Sequence, residues 1–390
     1  MISRARVRCA METLKVGLSG APRGSSFVAA LRSIPNIDVA SICDPDVERL
    51  NGIADRHRIP ERYADYAEML DRGDPDMVVV ASPMQFHVPQ AVSALGKGVH
   101  VLSEVTAAVS LQQCEELVRA VRESDAKYMM AENYCYRKPN VLVGSMARQG
   151  LFGEVYFGEG EYVHDVKHMH HDARGRPTWR TIWQVGKRGC TYGTHSLGPV
   201  LEWFDETVDW VTCLGSGVHT NPDYVMDDSV IMLCKTTSGA LIKIRLDMLS
   251  NRPHNMVYYA IQGTRGCYEA PRGFGDEHKI WLMDRSAEKV EWRSLWDFEE
   301  EFMPEIWRNP PEEARRAGHG GGDYFVVADF VDSVRNDTTP RIDVYKAMDF
   351  TVPGLVSERS ILKHGRAFTV PDFRDWDGKE SIEEKVQPLD

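Results

Sequence analysis

Short unbroken apolar runs alternate with amphipathic stretches over the first third of the chain. Leu14 to Leu18 is a compact β-type run, and Phe27, Val28, Ala30 and Leu31 then recur at helical spacing. Asp38 to Ile42, Met77 to Ala81, Val99 to Ser103 and Tyr128 to Ala131 are further apolar runs, separated by helical stretches such as Leu111 to Glu123. Continuous apolarity is what strands buried on both faces of a parallel sheet require. Right-handed crossovers then make this a doubly wound α/β sheet. After about residue 137 the pattern changes. Glu154 to His164 reads as a long strand, Ser229–Cys234 and Ala240–Leu249 as a hairpin around Thr237-Ser238-Gly239, and Val257–Gln262, Cys267–Ala270 and Lys279–Met283 as further strands. A run of mostly antiparallel strands predicts a second, α+β domain built on a sheet. Asp323 to Val334 reads as an amphipathic helix behind the glycine-rich Gly318 to Gly322, and 342–363 as a helical stretch packing back on the first domain. The expected domains are 12–136 and 137–390.

The turn after the first strand adds chemistry. Gly17, Gly20 and Gly24 precede Ser25 and Ser26 at the start of the first helical stretch. Small residues let a backbone approach a pyrophosphate, and a helix N-terminus supplies amides and a partial positive charge. Asp44 sits just past the second strand, where an acid accepts hydrogen bonds from an adenosine ribose. Together these predict a Rossmann dinucleotide domain. The spacing departs from G-x-G-x-x-G: the run is Gly20-Ala21-Pro22-Arg23-Gly24, and proline has no amide to give. Ser19 and Arg23 are the candidates to make up for it. A carboxylate at 44 repels a 2′-phosphate, and no Arg or Lys follows directly, so NAD is expected rather than NADP. Ligands bind at the carboxyl ends of such strands, which singles out Gly17–Gly24, Asp44, Ser82–His87, Glu104–Ala107 and Asn133–Tyr136. On these loops Ser82, Met84, His87, Glu104, Val105 and Asn133 are the further cofactor candidates.

Bulk properties narrow the partners. A chain of 390 residues has room for two full cores. A net charge of −12 argues against nucleic acid, and no apolar run is long enough to span a membrane. Met1 to Met11 carries three arginines without the apolar core of a signal peptide, and Met11 is a second candidate start. The eight scattered cysteines form no C-x-x-C pair, as in reduced, cytoplasmic proteins.

Ser82-Pro83-Met84-Gln85-Phe86-His87, then Ala91, Ala94-Leu95 and Gly98-Val99-His100-Val101-Leu102-Ser103-Glu104, resembles the Gfo/Idh/MocA family of sugar-oxidising enzymes. The resemblance covers nearly the whole chain, with the nucleotide fold first and an open-faced, largely antiparallel sheet second. That family usually continues Glu-Lys-Pro, its lysine being the catalytic acid/base; here the run is Glu104-Val105-Thr106. Its D-x-G-x-H motif becomes Thr191-Tyr192-Gly193-Thr194-His195, keeping only the glycine and the histidine. Both departures resemble glycoside hydrolase family 109, an NAD-dependent glycosidase branch. So do Glu132-Asn133-Tyr134-Cys135-Tyr136-Arg137, Arg148 to Glu154, Tyr162 with His164-Asp165, Trp179-Arg180-Thr181, and Leu197-Gly198-Pro199 after the histidine.

The resemblance implies a redox-neutral cycle on a small-molecule sugar or glycoside. Hydride leaves carbon 3 of the sugar to NAD, the ketone acidifies the hydrogen on carbon 2, loss of that proton expels the aglycone from carbon 1, water adds, and the hydride returns. It also implies a homo-oligomer, dimer or tetramer, through the C-terminal sheet. The cycle needs a base for the 3-hydroxyl and one for carbon 2. His195 is the candidate for the first, histidine being the usual side chain for proton transfer at physiological pH; a helix-capping histidine is the alternative. Tyr136, with a pKa lowered by Arg137 or by the nicotinamide's charge, is the candidate for the second; an aromatic core residue is the alternative. Arg180 is expected to hold sugar hydroxyls or an anionic substituent. Tyr162, Tyr192, Thr194 and Tyr268 are expected to line the pocket, and Glu104 to orient the nicotinamide end. His164, Asp165, His168, His170 and His171 have zinc-compatible chemistry, and strand spacing would put His164, His168 and His170 on one face; a solvated loop with His164 packed beneath it is preferred, and no metal is expected. His319 reads as a turn residue; a loop residue brought near the sugar is the alternative. An ordinary NAD-dependent sugar or polyol dehydrogenase that accumulates NADH is the alternative function, against which the absent lysine counts. A non-enzymatic NAD-binding sensor is the third.

Overall fold

The computed structural model describes residues 12–253, 256–285 and 290–389; residues 1–11, with both candidate starts, lie outside these. The described residues fall into two compact units. Of these, 12–136, Pro311–Met348 and Phe373–Ser381 make one, and Arg137–Pro310, Asp349–Asp372 and 382–389 the other. Segments 311–348 and 373–381, which the sequence leaves with the second domain, therefore group with the first. The helix Gly322–Arg335 explains why: it packs on the helix Val28–Ser33 and on the turn Asn133–Tyr136. Its periodicity is legible in sequence, but periodicity does not say which sheet a helix covers.

The first unit holds a six-stranded sheet: β1 Leu14–Ser19, β2 Ile37–Cys43, β3 Glu61–Tyr63, β4 Met77–Val80, β5 His100–Ser103 and β6 Tyr128–Met130. The order is β3-β2-β1-β4-β5-β6 and every pair is parallel. Helices cover both faces, so Val16, Leu18, Val78, Val79 and Val101 are fully buried. The order reverses between β1 and β4, and such a switch point opens a crevice at the strand ends. Gly20 lies there with φ 82°, and a Cβ on it would stand 2.4 Å from the Ala81 carbonyl oxygen. β3 is three residues long, too short for periodicity to reveal.

The second unit holds a nine-stranded sheet: β7 Val155–Val163, β8 Val208–Gly215, β9 Val230–Thr236, β10 Leu241–Asp247, β11 Val257–Gly263, β12 Gly266–Glu269, β13 Lys279–Leu282, β14 Arg293–Ser294 and β15 Phe368–Thr369. The order is β14-β13-β12-β11-β7-β10-β9-β8-β15. Among the described strands of this sheet, only the β7–β10 pair is parallel. The hairpin expected around Ser238 forms as β9–β10. The helix Thr194–Phe204 lies directly on β7, because Gly158 and Gly160 leave room for it. A Cβ on Gly160 would stand 2.1 Å from the Ser196 carbonyl oxygen. The opposite face of β7 carries Glu159 and Glu161, paired with Lys243 and Arg245 of β10 and with Arg272.

The helical stretch near 342–363 forms as Val344–Leu362; its start groups with the first unit and the rest with the second. Among the described residues no helix is long and apolar enough to cross a membrane.

Candidate functional site

The candidate residues gather into one group in each unit. In the first, Gly20 opens a helical segment that runs through Ala21–Gly24 and Ser25–Phe27 to Ser33. Asp44 is buried at the end of β2, where its two oxygens accept the amides of Ala21 (3.1 Å) and Asp46 (3.0 Å). The acid therefore fixes the glycine turn as well as its own. Ser19 and Ser82 hydroxyls both donate to Gln90 Oε1 at 2.9 Å, tying the ends of β1 and β4 together. Met84 is buried beside them.

Arg23 does not stand free to replace the amide that Pro22 lacks. Its guanidinium lies between Glu104 Oε1 (Nε, 2.6 Å) and the two oxygens of Asp323 (3.2 Å each). Asp323 also accepts Asn133 Nδ2 at 2.8 Å and lies 3.1 Å from His319 Nδ1. Burial works to raise the Asp323 pKa, but the His319 hydrogen bond and the Arg23 charge outweigh it and hold the carboxyl well below the usual range. Burial likewise opposes the Arg23 charge, and Glu104 and Asp323 together more than compensate. His319 is thus more than a turn residue: it closes a chain of contacts running His319–Asp323–Arg23–Glu104.

His87 corrects an expectation. It is 2 % exposed, with Nδ1 2.8 Å from the Thr106 carbonyl and Nε2 2.9 Å from the Ser82 carbonyl. Burial lowers its pKa, against the two carbonyl contacts, which work to raise it. It staples two loops together and has no ring nitrogen left for a cofactor. Val105, after Glu104, is buried and apolar.

Tyr136 is buried on the turn Asn133–Tyr136. Its phenol donates a short hydrogen bond to Asp329 of the helix Gly322–Arg335. Arg341 lies over its ring, 4.4 Å from the centroid. Arg341 also donates to the Cys135 carbonyl at 3.3 Å. Sequence reasoning read the helix but not its acids. The signal for Asp323 and Asp329 was their place in a run otherwise dominated by Phe, Val and Ala.

In the second unit His195 is the second residue of the helix Thr194–Phe204, whose N-cap is Gly193, so the histidine is not the cap. Its ring packs against Tyr162 (centroids 5.1 Å apart) and edge-on to Tyr192 (5.7 Å). Tyr162 also meets His164 at 5.6 Å. The Tyr259 hydroxyl donates to the His195 carbonyl and anchors the start of the helix. Thr194 Oγ1 beside it is buried without a partner. Arg180 begins the short helix Arg180–Trp183 with its guanidinium 4.4 Å above the Trp179 ring.

Tyr268 is fully buried in β12, stacked on His278, hydrogen-bonded to its Nδ1 at 2.8 Å and edge-on to Trp203. Strand alternation turns it toward the helix side of the sheet, into the core. The histidine run is not a strand face: His164 is half-buried against Tyr162, and Asp165, His168 and His171 are exposed. β7 ends at Val163, a 3-10 turn covers Lys167–Met169, and the side chain packed inside is His170, held by the Tyr224 hydroxyl at 2.8 Å. Burial first, then Arg180 and His171, push His170 down to about 4. Among the described residues no group of three or more His, Cys, Asp or Glu is placed to hold a metal ion.

The first unit fits a dinucleotide: the Gly20 cradle that any Cβ would fill, Asp44 at the end of β2, and Asn133 Oδ1, buried with no partner. Fold and residues define a dinucleotide-binding Rossmann protein, and the family matches make it an NAD-dependent enzyme acting on sugars. Residues 12–132 match the oxidoreductase family with NAD-binding Rossmann fold, and 136–216 and 208–377 match the C-terminal domain of glycosyl hydrolase 109. The chain belongs to glycosyl hydrolase family 109. It is 27 % identical over 402 residues to a glycosyl hydrolase family 109 protein of Shewanella pealeana, covering 93 % of this chain and 86 % of that one. It is also 27 % identical over 405 residues to an alpha-N-acetylgalactosaminidase of Shewanella oneidensis, covering 93 % and 85 %. The fold resembles a levoglucosan dehydrogenase solved with NADH, with a TM-score of 0.80 at 19 % identity over 93 % of this chain and all of the other.

Proposed function

We propose that the protein is a redox-neutral glycosidase, which oxidises carbon 3 of a bound glycoside, expels the aglycone by elimination across carbons 1 and 2, adds water and reduces carbon 3 again. NAD, when bound, supplies a reversible hydride acceptor for carbon 3. Gly20, Asp44 and Asn133 hold it, with Glu104 toward the nicotinamide end. His195 takes the 3-hydroxyl proton and returns it, its ring set by Tyr162 and Tyr192. Tyr136 takes the proton from carbon 2. Arg180 and Thr194 bind the sugar. The observation that carries the reading is the acid–base complement. A buried valine follows Glu104, and the imidazole and phenol are each held in place by specific neighbours.

The substrate proposed is an α-linked N-acetylgalactosaminide, on the likeness to the Shewanella oneidensis enzyme. The β7–β10 face bearing Glu159, Glu161, Lys243 and Arg245 is proposed as the contact between copies in a homo-oligomer. The cytoplasm is proposed as the compartment, in which Cys43, Cys114, Cys135, Cys190, Cys213, Cys234 and Cys267, all free, stay reduced. The test is turnover of aryl glycosides in deuterated water with the NAD-loaded protein. Deuterium at carbon 2 of the released sugar, with no build-up of NADH, is the expected result. Cleavage without exchange overturns the mechanism. NADH formed in step with a free sugar consumed establishes a dehydrogenase instead.

A further inference from the structure

We propose that Asp329 receives the proton that Tyr136 sheds, so that phenol and carboxylate remove the carbon-2 proton as a relay. The inference deepens the reading above and rests on Tyr136 as the carbon-2 base. A lone phenol is a poor base at neutral pH because its pKa is about 10. The neighbouring carboxylate makes a free phenolate worse still, since two negative charges would then share one short contact. The same contact offers another route. Tyr136 already donates its proton to Asp329, so that proton can cross as a new one arrives.

The step balances. The carbon 2–hydrogen bond breaks and its electron pair moves toward carbon 1, where the aglycone leaves with the pair of the carbon 1–oxygen bond. The carbon-2 proton goes to the Tyr136 oxygen, and the proton that oxygen held goes to Asp329. Tyr136 ends as it began, and Asp329 ends as a carboxylic acid. Asp329 is only half-buried, whereas Tyr136 is fully so, which gives the proton an exit to water. Run in reverse after water adds, the relay delivers a solvent proton to carbon 2.

The charged groups on the surrounding elements are compatible with this. Arg341 lies over the Tyr136 ring and steadies charge passing through it. Glu132, on the same turn, accepts the Tyr134 amide at 3.2 Å. Asp323, on the same helix as Asp329, is engaged by Arg23, Asn133 and His319. Cys135 and Arg137 flank Tyr136 in sequence. In this scheme Asp329 is a positioning residue that acts through Tyr136 and does not touch the sugar.

The test follows exchange of the carbon-2 hydrogen of a 3-keto glycoside across pH, in the full-length NAD-loaded protein and in its Asp329→Asn, Asp329→Glu and Tyr136→Phe variants. The wild type is expected to show an acid limb in the carboxylate range and a plateau above it. Asp329→Asn should lose about 10²–10⁴-fold at neutral pH, the range for a positioned acid/base. Its remaining rate should climb toward the phenol range, while Asp329→Glu keeps the wild-type profile. A wild-type acid limb in the phenol range overturns the relay, and that measurement needs no variant to fold. So does an Asp329→Asn rate that is unchanged, or lowered by one factor at every pH. Tyr136→Phe separates the two claims: if it exchanges like wild type, the role of Tyr136 fails and the relay with it. If it is inactive while Asp329→Asn is normal, only the relay fails.

Discussion

Tyr136, Tyr162 and Tyr268 look alike in sequence, and their neighbours give them different fates. Tyr136 meets a carboxylate and an arginine, Tyr162 two histidines and a tyrosine, and Tyr268 a histidine and a tryptophan inside the sheet. Of the three, Tyr268 is given no part in the proposed chemistry. Tyr268→Phe should leave glycoside turnover unchanged and lower stability by about 1 kcal/mol, the usual net worth of one hydrogen bond, as read by urea unfolding. A loss of turnover at unchanged stability would place Tyr268 in the pocket. His195→Ala should behave in the opposite way. Oxidation at carbon 3 should fall about 10²–10⁴-fold, while a glycoside already oxidised there is still cleaved, because its first proton transfer is bypassed. Equal loss on both substrates would mean that His195 also serves the elimination.

At the scale of elements, the helix carrying His195 is set by two glycines of the strand beneath it. A Cβ at 160 would meet the backbone oxygen of Ser196, and backbone cannot swing aside as a side chain can. Gly160→Ala should therefore shift the helix, cost about 1–3 kcal/mol and lower sugar turnover at least tenfold. Its NAD affinity, by fluorescence titration, should not change, since Gly20, Asp44 and Asn133 belong to the other unit. A parallel loss of NAD affinity would refute that separation. Most elements that position these residues were legible in the chain: β1, β2, β4, β5 and β6 as apolar runs, β7 and the β9–β10 hairpin by alternation and a glycine turn. β8 was missed, because its pattern Val208-Asp209-Trp210-Val211 breaks alternation at a bulge. β14 and β15 are two residues each, too short to carry any pattern. The local parts of the site were legible too, since the glycine turn, Asp44 and the Tyr192–His195 block each lie within one short segment. Contacts across long separations were not: Tyr136 with Asp329, Arg23 with Asp323 and Tyr259 with the His195 carbonyl all depend on packing.

At the scale of the whole molecule, three histidines make stability depend on acid. His100, in the first unit, and His170 and His278, in the second, are each pushed down to about 4, in every case first by burial. Their hydrogen bonds are those of neutral rings: His100 Nδ1 accepts the Lys127 amide at 3.0 Å, and His170 and His278 meet tyrosine hydroxyls. In the unfolded chain a histidine titrates near 6.5. Between about 6.5 and 4 the unfolded chain therefore binds protons that the folded one refuses, and stability falls as pH falls through that window. Above 6.5 these groups have no effect, and below about 4 their penalty is complete. Each contributes a slope of at most about 1.4 kcal/mol per pH unit. Asp323 acts in the next window down. Its folded pKa is depressed, so its contribution is present above the unfolded value near 3.9 and is lost as pH falls further. Urea unfolding at pH 7.5, 6.5, 5.5 and 4.5 should show a plateau and then a steady decline. His100→Asn keeps an acceptor for the Lys127 amide but cannot titrate, so it should remove its share of that decline and leave the value at pH 7.5 nearly unchanged. A stability that stays flat from pH 6.5 to 4.5 would mean that the three rings are charged inside the folded protein, against the burial that surrounds them.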